Sequence, residues 1–336
     1  MGVRNKMEMA KQLAAIPRGY CIGALKRAVR FYNASSACLD DTSVQLVCRE
    51  LRILTHTIEK GFSLPVVKKG FGEEKMKAIL RYLDCYIKIG DFSYDHEAFT
   101  GAVMIAEEYR KKAACYDLNA SFIDLSKYDP YIECKSGEVY GVLSFDNAPK
   151  ADGLNFWEFA HARHSIRKFS DKPLPESVLR EAVDLAGTAP SACNRQSVKV
   201  FHISDRVLSR KILDIQGGAR GHSSAELLLL VSDLGLYRYL SEFELPYLDG
   251  GIYLMNLLYS LNYYQIGSCP LVWDDYGEQG RQLRELIEIP SGYLVLAIVQ
   301  CGFYPEDGGY YAVSNRREAD NCYVKMDGKE QDKPTV

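Results

Sequence analysis

Long apolar runs are missing from this 336-residue chain. No stretch approaches the roughly 20 apolar residues needed to cross a bilayer. The N-terminal MGVRNKMEMAKQLAAIP lacks the continuous apolar core of a secretion signal. A cytoplasmic protein with no membrane partner is therefore expected. Charge of one sign is also scarce, because 41 Lys+Arg against 44 Asp+Glu leave a net charge of -3. So weak a field gives no reason to expect a nucleic-acid partner. The ten cysteines (Cys21, Cys38, Cys48, Cys85, Cys115, Cys134, Cys193, Cys269, Cys301, Cys322) form no CxxC pair and no Cys/His cluster at metal spacing. No metal site is expected, and most of the thiols read as small buried hydrophobes. No fixed-period repeat is present. No G-x-G-x-x-G follows a strand, and the glycine-rich QGGARGHSSA lacks the Lys-Ser/Thr of a phosphate loop. Neither a His/Asp pair nor paired carboxylates stand out, so no side chain is put forward as a catalytic acid, base or nucleophile.

What is present divides in two, as the length suggests, since domains usually hold about 100 to 200 residues. Residues 1–120 read as helices: CIGALKRAVRFYNA, VQLVCRELRILTHTIEKG, EEKMKAILRYLDCYIK and HEAFTGAVMIAEEYRKKAACYD carry apolar residues at helical spacing. Thr42 or Ser43 is a plausible N-cap for the second, with Gly61 past its end. Residues 121–152 are rich in Pro, Gly, Asp and Ser and read as a linker or irregular wrap. From residue 153 to 336 helical and strand patterns alternate, which argues for a sheet covered by helices on both faces. ELLLLVSD and YLVLAIVQ are apolar without alternation, as central strands are. The helix from Leu248 to Tyr264 is apolar nearly all round, so burial is expected inside the domain or between subunits. Gly250 and Gly251 either admit another backbone or a ligand, or simply end the preceding loop.

The segment ARHSIRKFSDKPLP packs Arg163, His164, Ser165, Arg167 and Lys168 into one short turn. Four groups that can be cationic are costly to crowd together unless an anion shares the site. On physical grounds alone this is either a phosphate site or a solvated basic turn. His56 and Glu59, one turn apart, are either a small site or a locally bonded pair.

ARHSIRKFSDKPLP resembles the opening signature of the FMN-dependent nitroreductase family. GTAPSACNRQSVKVF resembles the second, with Ala189, Pro190, Ser191, Asn194 and Gln196 at matching positions. Ser197 and Val198 depart from it, where the family usually has Pro and Trp. YYQIGSCPLVW is similar to the segment after the family's long central helix, which aligns Gly267, Cys269, Pro270 and Leu271 with the backbone that passes the flavin ring. SNRREADNCY resembles the closing basic pair, Arg316 and Arg317. LRILTHTIEKGFSLP looks like an extension found in some members from bacterial polysaccharide loci.

The resemblance implies an α+β fold with a mixed central sheet flanked by helices, preceded here by an all-helical region. It implies a homodimer with FMN at the interface, reduced by NADH or NADPH, and a small organic electron acceptor, nitroaromatic or quinone-like in assay. Cofactor contacts are expected from Arg163, His164, Ser165 and Arg167, from Pro190, Ser191 and Asn194, and from Cys269, Pro270 and Leu271. Arg316 and Arg317 are expected at the phosphate, and Gln216 near the ring. Cys193, inside the second signature, is either a redox-active thiol or a small residue. The competing expectation is a flavin-binding or cofactor-free protein on the same scaffold, with a regulatory or specialised role such as dehalogenation or flavin breakdown.

Overall fold

The computed structural model describes residues 43–132, 139–146, 153–223, 225–237, 242–317 and 322–326, together with 24, 25 and 29. The anticipated helix through CIGALKRAVRFYNA lies almost entirely outside the described residues. Two compact units are present: one gathers Lys60–Lys68 and Val142–Ala312, and the other holds the described residues of 40–59, Lys69–Gly141 and the C-terminal segment from Val313. No helix among the described residues is long and apolar enough to cross a membrane.

The second unit is helical. It contains most of α1 (Val44–Phe62), then α2 (Glu73–Ile89), α3 (His96–Tyr116) and a 3-10 turn at Ser126–Tyr131. Gly61 does not end α1, which runs on to Phe62. A helical interior tolerates one glycine at a cost of about 1 kcal/mol. Gly90 does close α2, in the left-handed conformation with its N–H on the Tyr86 carbonyl. The core is aromatic as well as aliphatic, with Tyr86, Phe99, Tyr109 and Tyr128 fully buried. The buried phenols find acceptors: Tyr109 donates to the Phe71 carbonyl (2.6 Å) and Tyr128 to Asp84 (2.8 Å).

The first unit is α+β. Its four-stranded sheet has the order β2 (Val198–Ile203), β3 (Glu226–Asp233), β5 (Tyr293–Phe303), β4 (Ile266–Val272), and every neighbouring pair is antiparallel. The parallel component of the anticipated mixed sheet is one isolated bridge, Ser165 to Ser268. Leu227, Leu229, Val231 and Ile298 pack on one face with Ile212 and Leu213 of α6 (Arg206–Gln216) and Leu283 of α8 (Glu278–Leu286). Leu228, Leu230 and Val299 pack on the other with Leu179 of α5 (Glu176–Ala186) and Leu257, Leu258 and Leu261 of α7 (Leu245–Tyr263). Side chains alternate across a strand, so a strand covered on both faces must be apolar throughout, which is why β3 and β5 show no alternation.

Local chemistry sets the helix starts. Asn155 and Glu158 form a capping box at α4 (Phe156–Ala162), and Asp205 accepts from the Val207 N–H (2.8 Å) at α6. Periodicity does not foresee β1 (Val142–Phe145) and β6 (Gly309–Ala312), which pair antiparallel as a small second sheet. Four residues are too few for a pattern to register.

A bulge joins α7 to the sheet. Leu230 opposes Ala297 and Val231 opposes Val295, so Leu296 is the extra residue. Its Cδ1 lies 2.2 Å from where a Cβ on Gly250 would stand. Gly250 is therefore required for close packing, whereas Gly251 faces open space.

Candidate functional site

The basic turn follows α4 and runs beside β4: the Ile166 N–H donates to the Ser268 carbonyl (2.9 Å). This contact sets Arg163, Ser165 and Arg167 around Cys269. Burial pushes the Cys269 thiol up from its ordinary range, while the charges of Arg167, Lys60 and Arg163 and a hydrogen bond with Ser165 pull it back. A thiol so buried is a packing residue; among the described cysteines only Cys48, Cys269 and Cys301 are buried, while Cys115, Cys193 and Cys322 are exposed and Cys85 is half-buried, so the expectation that most thiols are buried does not hold for them.

Arg167 is the unusual member. It is 4% exposed, yet its Nη1 donates only to neutral oxygens, Ser63 Oγ (3.1 Å) and the Ser165 carbonyl (3.2 Å). Its Nε is buried with no hydrogen-bond partner, and no carboxylate lies within ion-pair range among the described residues. Burying a cation without a counter-charge costs several kcal/mol on the usual scale, which an anionic ligand would offset. His164, by contrast, stacks its ring on Tyr311 (3.6 Å between centroids). Lys168 turns to Asp307 (2.6 Å).

His222 completes the surroundings of Arg167. The Ser223 N–H donates to the Arg167 carbonyl (3.1 Å). The His222 Nδ1 lies 2.6 Å from Gln300 Oε1, and the Gln300 amide donates to the Ser223 carbonyl (3.2 Å). This arrangement makes Nδ1 the protonated nitrogen and leaves Nε2 as a buried acceptor without a partner. Burial, together with the charges of Lys60, Arg167 and Arg210, pushes this imidazole down to about 4.

The second signature forms a strained loop. Cys193, Asn194 and Gln196 have φ of 53°, 55° and 51°. Non-glycine residues rarely adopt such values unless surrounding structure imposes them. Here a polar network does so. Asp249, 2% exposed, accepts from the Ala192 N–H (2.9 Å) and from the Tyr237 hydroxyl (2.9 Å), and that hydroxyl lies 2.7 Å from Ser197 Oγ. Ser191 Oγ accepts from the Gln196 N–H (2.9 Å), and Pro190 leads into the loop. Asn194 Oδ1 accepts from Gln196 Nε2 (3.1 Å), and the Asn194 side chain is exposed. The exposed Cys193 has no disulfide.

Strand β4 presents an open edge. The Ser268 carbonyl accepts from Ile166, and the Val272 carbonyl accepts from Gln216 Nε2 (3.1 Å). Both carbonyls therefore point away from β5, and alternation sends the backbone groups of Cys269 and Leu271 toward β5. Pro270 lies on the outward side but has no N–H. The outward backbone donor next along the strand is that of Val272, whose side chain is exposed.

Arg316 and Arg317 belong to the other unit. Arg317 donates to Asp95 Oδ2 (2.7 Å), which also accepts from Arg52 Nε (2.7 Å), so its charge has a carboxylate partner within its own unit. Arg316 bonds the Ser314 carbonyl. His56 and Glu59 lie 3.9 Å apart; His56 also bonds Ser314, and Glu59 accepts from the Gly141 N–H (3.4 Å). They form a locally bonded pair.

Sequence reasoning missed Lys60, Ser63, His222 and Asp249. A signal existed for two of these places, because the EKGFSLP stretch and the Gly250–Gly251 pair were both noticed, but only contacts across the fold assign the roles.

Residues 160–219 match the profile of the nitroreductase family. The chain carries a nitroreductase-family domain. The matched span holds the basic turn and the strained loop. A relative from Thermus thermophilus named NADH dehydrogenase is 27% identical over 180 residues, covering 44% of this chain and 85% of that protein. A Bacillus subtilis protein named FMN reductase [NAD(P)H] is 32% identical over 66 residues, 20% of this chain and 26% of its own. A nitroreductase family protein from Streptococcus pneumoniae, solved as a crystal structure, aligns with 51% of this chain and 100% of its own, at 21% identity and a TM-score of 0.45. The family and both relatives are named for oxidoreductase activities.

Proposed function

We propose that the nitroreductase-family domain is an FMN-dependent oxidoreductase, reduced by NADH or NADPH and passing electrons to a small organic acceptor. The observation that carries this reading is the buried Arg167 guanidinium without a carboxylate partner among the described residues. A terminal phosphate suits the chemistry of Arg167, Arg163 and the Ser165 hydroxyl, since charge-assisted bonds to phosphate suit arginine geometry. Bound flavin supplies hydride chemistry that no side chain here could perform. The chain's own residues hold and orient it. Ser191 and Asn194 offer polar groups from a loop that the Asp249 network keeps in place, and the outward Val272 N–H offers a backbone donor along β4. Arg316 and Arg317 are left out of the set, because Asp95 already neutralises Arg317.

The same reading includes a homodimer built on α7. Leu248, Ile252, Met255 and Tyr263 recur at helical spacing on that helix and are exposed in the single chain, as are Phe156 and Trp157 of α4. An apolar stripe of this kind marks an interaction face. Sedimentation at micromolar concentration is expected to give a dimer.

The purified protein is expected to be yellow, to bleach with NADH or NADPH, and to release FMN on denaturation. A colourless protein that takes up no added FMN, or one that releases FAD, would contradict the proposal.

A further inference from the structure

We infer that Gln300, His222 and Ser223 are positioning residues for Arg167: they grip the backbone of the basic turn and so keep its guanidinium buried and set for an anion. This inference rests on the FMN reading above. It starts from a buried glutamine in a strand that packing alone would make apolar. Strand β5 is covered by side chains on both faces, and Gln300 is fully buried within its run YLVLAIVQCGF. A buried carboxamide costs free energy unless both of its ends are bonded. Both are: Oε1 lies 2.6 Å from His222 Nδ1, and Nε2 donates to the Ser223 carbonyl (3.2 Å). The amide therefore ties the His222–Ser223 segment to the sheet. Gln300 also stands opposite Cys269, one residue from the Ser268 carbonyl that receives the Ile166 N–H.

Ser223, so held, grips the turn at two points. Its N–H donates to the Arg167 carbonyl (3.1 Å), and its Oγ accepts from the Phe169 N–H (2.7 Å). Strand β4 holds the turn before Arg167, through Ile166 and Ser268 (2.9 Å), and β5 holds it after, where the Ser170 N–H donates to the Phe303 carbonyl (2.9 Å). The backbone on either side of Arg167 is thereby fixed. Such restraint matters for this side chain in particular. A guanidinium bonded only to neutral oxygens among the described residues gains hydration and rotamer freedom by turning to water. Fixing its backbone before a ligand arrives removes part of that ordering cost from binding, and preorganisation of this kind appears as affinity.

The test asks whether these residues act through Arg167 or only on the fold. The deflavinated full-length chain is titrated with FMN and read by flavin fluorescence. Gln300→Met, which keeps the volume and removes both bonds, is expected to weaken FMN by about five- to tenfold. In the Arg167→Ala background the same change is expected to cost less than about twofold, because the group it positions is gone. His222→Asn, whose amide nitrogen takes the place of Nδ1 as donor to Gln300, is expected to keep the affinity within about twofold, and His222→Leu to lose as much as Gln300→Met. Unchanged affinity in Gln300→Met, equal losses from it in both backgrounds, or equal losses from the two His222 variants would overturn the inference and leave the FMN reading intact. If Gln300→Met does not fold, the two His222 variants decide the matter alone. Wild-type protein that binds no FMN would overturn both.

Discussion

Two arginine clusters in this chain differ in what neutralises their most buried charged group, Asp95 in one and Arg167 in the other. Around Asp95, one carboxylate that is 7% exposed receives Arg52 through both of its oxygens and Arg317 through one. Around Cys269 lie Arg163, Arg167 and Lys60, with no carboxylate on Arg167 among the described residues. The first arrangement is complete, since an ion pair with its partners in place needs no ligand. In the second, Arg167 is 4% exposed and meets no carboxylate among the described residues, and a buried charge of that kind is how a protein binds an ion that it does not itself supply. An arginine in a motif therefore does not identify a ligand site; what neutralises it does.

The largest expected effect tests the complete cluster. Asp95→Asn keeps the shape and tolerates the left-handed φ of 49° at this position, but takes the carboxylate from Arg317 and leaves Arg52 only its longer contact with Glu97 (3.4 Å). It should destabilise the helical unit by about 3 to 5 kcal/mol in urea unfolding. Arg167→Met, which removes a buried charge bonded only to neutral oxygens among the described residues, should cost the flavin-free protein much less. Equal costs would break the comparison.

Second is the imidazole beside Arg167. His222 is pushed down to about 4 from an ordinary value of 6.5, so the unfolded chain takes up its proton first. Its contribution is present in full above pH 6.5 and is lost as pH falls toward 4, a change of about 3 kcal/mol. His222→Leu should flatten that acid limb of the stability profile. A profile that His222→Leu leaves unchanged would mean the imidazole is not held neutral by its surroundings.

Binding comes third. Arg163→Ala and Arg167→Ala should each weaken FMN by about 1 to 3 kcal/mol, read by flavin fluorescence. Inorganic phosphate should also raise the melting temperature of the flavin-free wild type, through mass action, and should fail to do so in Arg167→Ala. Wild-type affinity in both variants would remove the basic turn from the site.

The smallest effect sharpens the contrast. Arg317→Ala should cost less than about 1 kcal/mol of stability, because the side chain is partly exposed and Asp95 keeps Arg52. FMN affinity should not change. A loss of affinity there would return this arginine to the phosphate.

Much of this molecule was determined by the sequence alone. The strands β4 and β5 and the helices α2 and α3 follow from apolar runs, helical spacing and capping residues, which act over a few neighbours. The basic turn and the strained loop were legible as motifs for the same reason, since their chemistry is packed into short stretches. Only the tertiary structure decided which charges remain uncompensated. Arg167 and Arg317 look alike in the sequence, and their difference lies in Asp95, which is 222 positions from Arg317. Likewise Ser63 meets Arg167 across 104 positions, and the Asp249 carboxylate meets the Ala192 N–H across 57. Charge compensation and hydrogen bonding act through space, over a few ångströms and without regard to chain separation. A pattern read along the chain cannot contain them.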